Sequence, residues 1–378
     1  MKIKKEAKRF NVILLLSALL GGIVGFLEGF LAEDVMEPLQ SSEYDLVTEL
    51  GIGFVLLTLA LMVQMVIHEA GHLVFGLLTG YKFVSFRVGS FMWVKREGKI
   101  HLCRYQLAGT GGQCLLEPPE QTDWEYPYSL YNMGGSIMNM LSAIVFAGVA
   151  LVVRDHYVMV RIFGILALAG VIQGLINAIP KKGIINNDGM NQVELRKIKA
   201  ARRAFWIQIK VNALWNQGIY LRDMPEEWFT TPNEEEMKSG LAVSMGVLAC
   251  GRLMTEKQFE KADKLMEDLL SKDSAIIGVH RSLCKTDQMY CEMVGACRKE
   301  RIESLLDDDV KKIWKAMKNS PSILRTQYVY ARRVKFDEKE AARIMEQFNK
   351  VAKTYPSVSG IMEERELMAY ADQIIDQE

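Results

Sequence analysis

The segment His68-Glu69-Ala70-Gly71-His72 puts two imidazoles and a carboxylate within five residues. Histidines four apart on a helix share a face, one turn above the other, so both rings can reach one ion. The glutamate between them is the general base of the H-E-x-x-H arrangement, placed to take a proton from a metal-bound water. Zinc is the metal that two imidazoles and an oxygen ligand suit best, with one position left open for water. A lone histidine in an apolar helix is more often structural than a ligand, and here the flanks decide. Residues 52–67 carry no formal charge, and Leu73-Val74-Phe75-Gly76-Leu77-Leu78 follows the motif. An unpaired ionisable group at membrane depth costs ~2.5–3.5 kcal/mol on insertion scales, a cost that a metal and its ligands account for.

Two histidines need a further protein ligand, commonly a carboxylate. Asn186-Asn187-Asp188-Gly189 is by itself a turn signal. It follows the last apolar run directly, on the side of the membrane where the histidine helix also ends. That makes Asp188 the best placed third ligand.

Four apolar runs must position these groups: residues 11–32, 52–78, 131–153 and 159–179. Lys2, Lys4, Lys5, Lys8 and Arg9 precede the first, and residues 33–50 hold acids without Lys or Arg. Basic residues return in 81–128, and Lys181-Lys182 follows the fourth run. By the positive-inside rule this is a multi-pass cell-membrane protein with both termini in the cytoplasm. At ~1.5 Å per residue, 52–78 is ~40 Å long, enough to cross a ~30 Å core with tilt. His68 lies ~24 Å along it, nearer the cytoplasmic face.

The β-rich segment 81–117 changes period. Phe83–Val88, Phe91–Lys95 and Ile100–Tyr105 read as strands, followed by Gly109-Thr110-Gly111-Gly112. Two readings stay open: a cytoplasmic β-hairpin cap, or a sheet edge that holds an extended substrate, its glycines allowing close backbone approach. Residues 191–233 form a basic juxtamembrane helix and linker. Arg196, Lys197, Lys199, Arg202 and Arg203 suit either anionic headgroups or a solvated connector. Residues 234–378 read as paired amphipathic helices, Gly240–Leu253 with Phe259–Leu270 and Ser322–Arg333 with Lys339–Ala352. They look like degenerate tetratricopeptide-type hairpins, a module for packing or for a cytoplasmic protein or peptide partner. The expected fold is therefore mainly α: a polytopic membrane domain (11–190, after a basic 1–10) with a small cytoplasmic β-hairpin region, then a soluble α-helical hairpin domain.

The 46 basic and 46 acidic residues balance, so bulk charge points to no nucleic-acid partner. Six cysteines without a C-x-x-C pair indicate neither a zinc ribbon nor a redox dithiol, and fit free thiols in a reducing compartment.

With His68–His72 in a span, then Gly135 to Asn139, then Asn177-Ala178-Ile179-Pro180 leading to Asp188-Gly189, the chain resembles the site-2-protease family of intramembrane zinc metalloproteases, bacterial members especially. The resemblance covers about residues 52–190. It implies His68, His72 and Asp188 as zinc ligands and Glu69 as the group that activates water. It also implies that Asn139 and Asn177 position substrate, a membrane-associated protein or a leader or signal peptide. Ser136 stands where the family usually has proline, Asn187 where it has leucine, and no PDZ or CBS domain is evident. The alternative is a membrane-anchored interaction or scaffold protein with a structural or inactive metal site. A metal-ion transporter is a weaker third reading, because Glu28 and Gln173 are few polar groups for an ion path.

Overall fold

The computed structural model describes residues 46–96, 98–105, 111–181, 186–271, 274–276 and 278–377. The expected first span at 11–32, with the basic terminus before it and most of the acidic loop after it, lies outside the described residues.

Helix α1 runs Leu46–Leu78, α2 Tyr128–Val152 and α3 Tyr157–Ala178. Each is mostly apolar and free of interior proline, as a segment facing lipid needs to be. Among the described residues these three helices are long and apolar enough to cross a membrane. α1 starts six residues before the expected Ile52, because Leu46, Val47 and Leu50 extend the apolar helix through Glu49. α2 starts at Tyr128, just after Pro127, whose ring keeps Tyr126 out of the helical conformation. Gly80, at φ +88°, ends α1 in the left-handed conformation that glycine adopts without strain.

The chain divides into two compact units. One takes α1 as far as Ile67 together with Met138–Gly174. In it the buried Gln64 receives Asn139 Nδ2 on both its main-chain oxygen and its Oε1, each at 2.8 Å. Gln64 Nε2 in turn donates to Leu166 O at 2.9 Å. Such interhelical hydrogen bonds hold apolar helices together where burial of apolar surface supplies no drive. Arg161 Nη1 lies 2.6 Å from Glu49 Oε2, so each charge neutralises the other.

The other unit takes His68–Ile137 and Leu175–Glu378. Its antiparallel sheet has β1 (Lys82–Val88), β2 (Phe91–Arg96), β3 (Lys99–Arg104) and β4 (Gly112–Glu117), in the order β3-β2-β1-β4. The three expected strands form, and a fourth appears that Gly109–Gly112 disguised as a loop. The segment is thus a four-stranded sheet rather than a hairpin, and among the described residues β4 pairs with β1 alone, at the sheet's edge.

Helices α4 (Asp188–Lys197) and α5 (Lys199–Asn216) follow. The apolar face of α5 buries Trp206, Ile207, Ile209 and Val211 in one core with Val84, Leu115, Leu116 and Tyr131. That face is therefore consumed by protein. Several of the cations find carboxylates: Arg202 meets Glu125 at 3.0 Å and Lys210 meets Glu117 at 2.7 Å.

Among the described residues eight α-helices follow, after three short 3-10 turns: α6 (Gly240–Thr255), α7 (Phe259–Leu269), α8 (Gly278–Val294), α9 (Lys299–Leu305), α10 (Asp308–Ala316), α11 (Pro321–Arg333), α12 (Glu338–Ala352) and α13 (Val358–Ile375). The two helix pairs fall where amphipathic periodicity puts them. Their core centres on Met266, Met289, Tyr290, Ile302, Val329 and Phe348. Buried carboxylates bind this bundle to the preceding helices. Glu194 of α4 accepts from Ser239 Oγ at 2.6 Å and Leu241 N at 3.0 Å, capping α6. Glu363 accepts from Trp215 Nε1 at 2.7 Å and Leu221 N at 2.8 Å. From the sheet, Arg96 donates to the carbonyls of Tyr355 and Pro356. The six cysteines are free thiols.

Candidate metal centre

Helical spacing stacks His68 and His72 on one face of α1, with their Nε2 atoms 3.2 Å apart. Asp188, in the first turn of α4, brings Oδ2 to 3.2 Å from His68 Nε2 and 3.5 Å from His72 Nε2. Among the described residues this is the one group of three or more such side chains whose ligand atoms converge. Three donors bound tetrahedrally at ~2.0–2.1 Å from one ion stand ~3.4 Å apart, so the triangle has the dimensions of a zinc site.

Hydrogen bonding makes the same point. His72 Nδ1 lies 2.8 Å from the Tyr131 carbonyl, which can only accept, so Nδ1 carries the proton and the Nε2 lone pair faces inward. There it meets a second imidazole nitrogen and a buried carboxylate oxygen that accepts no hydrogen bond. A cation between them satisfies all three. Burial alone would raise the Asp188 carboxyl, but positive charge on the His72 and His68 rings outweighs it and holds the group well below the usual carboxylate range; a cation bound among neutral rings would supply that charge instead. The residues present therefore fit a tetrahedral divalent ion.

Glu69 is buried beside this triangle. The first residue of β4 lies directly against it: a β-carbon on Gly112 would stand 2.5 Å from Glu69 Oε1. Arg87, fully buried in β1, donates to Gly112 O at 2.9 Å and Gly89 O at 2.7 Å, fixing the start of β4. On the other side Gly135 faces His68, where a β-carbon would come 2.5 Å from Nε2. One of the two sequence readings has the glycines of Gly109–Gly112 admit a substrate main chain; the group that Gly112 meets is Glu69.

Residues 56–355 match the model of peptidase family M50, the site-2 protease family. The chain belongs to peptidase family M50. This M50 chain is accordingly a metallopeptidase by family and a membrane protein, and the metalloproteases of M50 are zinc-dependent. No curated protein and no solved structure matches it.

The centre brings together His68, His72, Asp188 and Glu69. Asn139 has its amide engaged by Gln64, one turn before His68 in α1. Asn177 is half-buried in the last turn of α3. Sequence reading missed Tyr131 and Arg87, neither of which carries a motif of its own, and took Gly112 only as part of a glycine run. Tyr131 acts through its main chain, which no sequence pattern can report.

Proposed function

We propose that this M50 chain is a zinc metalloendopeptidase that hydrolyses a peptide bond in a membrane-associated protein or a leader or signal peptide. The convergence of His68, His72 and Asp188 with Glu69 alongside carries this reading. A structural metal site needs no buried glutamate there. His68, His72 and Asp188 would hold zinc, and zinc, when bound, supplies a Lewis acid that lowers the pKa of water toward ~7 and polarises a carbonyl. Glu69 takes the proton of the attacking water and returns it to the leaving amine. The outer edge of β4 suits an extended substrate main chain, which a substrate helix presents only after unwinding, since helical carbonyls are already hydrogen-bonded. Asn177 serves in positioning substrate, and Asn139 contributes by holding Gln64 and so the face of α1 that carries His68.

The protein is multi-pass with both termini in the cytoplasm, and its partners are the lipid bilayer, a membrane protein or peptide substrate, and a cytoplasmic protein or peptide. The last suits helices α6–α13 as a degenerate tetratricopeptide-like module. Incubating the full chain in liposomes with zinc and a panel of single-span peptides tests the activity. Cleavage by wild type and accumulation of uncut peptide on Glu69→Gln is the expected result. Equal cleavage by both proteins would remove Glu69 from its role. Absence of zinc from the purified chain would favour a membrane-anchored scaffold with an inactive site.

A further inference from the structure

Asp188 is useful only if its carboxylate is held against the two imidazoles, yet it lies in the first turn of a separate helix. Its neighbour Asn187 caps that helix. Asn187 Oδ1 accepts from Met190 N and from Lys181 N, each at 3.0 Å. Asn187 Nδ2 donates to Ile176 O at 2.8 Å and Ile179 O at 2.6 Å. A primary amide has two N–H donors and one oxygen with two lone pairs, and here all four positions are used. Oδ1 satisfies an orphan donor at the start of α4, while Nδ2 reaches two carbonyls at the end of α3, of which Ile176 O has no helical donor because Pro180 lacks an N–H. One side chain thus ties the exit of α3 to the entry of α4.

Two further contacts fix the same point. Asn132 Nδ2 donates to Asp188 O at 2.9 Å. Gly189 packs so closely on the end of α3 that a β-carbon would stand 2.2 Å from Ala178 O. The main chain of Asp188 is therefore held on both sides and from the start of α2.

We infer that Asn187 is a positioning residue for the metal centre: its amide clamps α4 to α3 and so sets the Asp188 carboxylate against His68 and His72. This rests on the metal reading above and explains why asparagine stands where the family resemblance would have leucine. Leucine offers neither the donors nor the acceptor. Aspartate keeps the acceptor that caps α4 but loses both donors to α3. Its added negative charge would, if anything, favour a cation.

The test uses the full chain in detergent, with Zn2+ titrated against a chromophoric chelator and Co2+ absorption as a spectroscopic readout. Asn187→Asp and Asn187→Leu are expected to weaken zinc binding ~10- to 100-fold, the usual cost of losing a partner that orients a ligand. The Co2+ spectrum of Asn187→Asp should move toward that of Asp188→Asn. Asp307→Ala, which removes the cap of α10 instead, should leave both readouts at wild type. Wild-type zinc affinity in both Asn187 variants overturns the inference. Should Asn187→Leu fail to fold, Asn187→Asp carries the test, because its cap is retained. If His68→Ala binds zinc as tightly as wild type, the metal reading itself fails, and the inference with it.

Discussion

Gly112, at the start of the edge strand, lies against the carboxyl of Glu69 with room for a hydrogen and nothing larger: a β-carbon would sit 2.5 Å from Oε1. Strand and general base are therefore set by one contact, although 43 residues separate them (112 − 69). Gly112→Ala should lower kcat/KM for a membrane peptide by ~10²-fold or more, because small misplacement of a reacting group is costly, while zinc stays bound. Cleavage at the wild-type rate would show that Gly112 and Glu69 are not in contact during turnover.

Arg87 holds that glycine. Its buried guanidinium donates to Gly112 O and Gly89 O from one planar group. Arg87→Met leaves these acceptors without that donor, a cost of ~1–3 kcal/mol for each buried polar group orphaned. Arg87→Lys should restore activity only in part, since an ammonium is a point charge that does not reproduce the fork. Thermal unfolding and peptide cleavage together check this, and full activity in Arg87→Lys would contradict it.

Gly135 meets His68 on the opposite side. Gly135→Ala drives a methyl into the imidazole, 2.4 Å from Cε1, so the ring must turn away from Asp188. Zinc affinity is expected to fall at least ~10-fold, as for loss of a group that orients a ligand. A chelator-competition titration measures it.

Glu364 sits with Arg325 and Asp287 inside the helical bundle. Burial pushes its carboxyl up to about 7, against the pull of Arg325 and with help from Asp287 and Glu363. The unfolded value is ~4.3, so between pH ~4.3 and 7 the folded state binds the extra proton. The stability Glu364 contributes is full below that window and is lost as pH rises through it. Glu364→Gln mimics the protonated form. Its melting temperature should gain on wild type as pH rises from 5 to 7.5, and a constant difference would contradict the assignment.

Much of this was legible from residue order alone. His68, Glu69 and His72 announce themselves because helical periodicity converts their spacing directly into a shared face. Asp188 was legible only through its place after an apolar run. The three described apolar helices match the expected runs to within six residues at each end, since uninterrupted apolar length is visible in residue order. β4 was not seen, because glycine weakens the alternation by which strands are recognised and Gly112 is there for Glu69 rather than for the sheet. The amphipathic pattern of α5 was equally compatible with lipid headgroups or with a protein core, and only tertiary packing distinguishes the two. The roles of Tyr131 and Asn187 depend on hydrogen bonds to main-chain atoms, which leave no trace in residue type at the partner.

The central claim is that His68, His72 and Asp188 hold one metal ion on which Glu69 acts without being a ligand. Measuring bound zinc per chain, in the same preparations assayed for peptide cleavage, tests it most directly. Wild type and Glu69→Gln should each retain one zinc, with cleavage lost only in the latter, while His68→Ala, His72→Ala and Asp188→Ala lose both metal and activity. Unchanged zinc in Asp188→Ala, or cleavage by Glu69→Gln at the wild-type rate, would contradict the account.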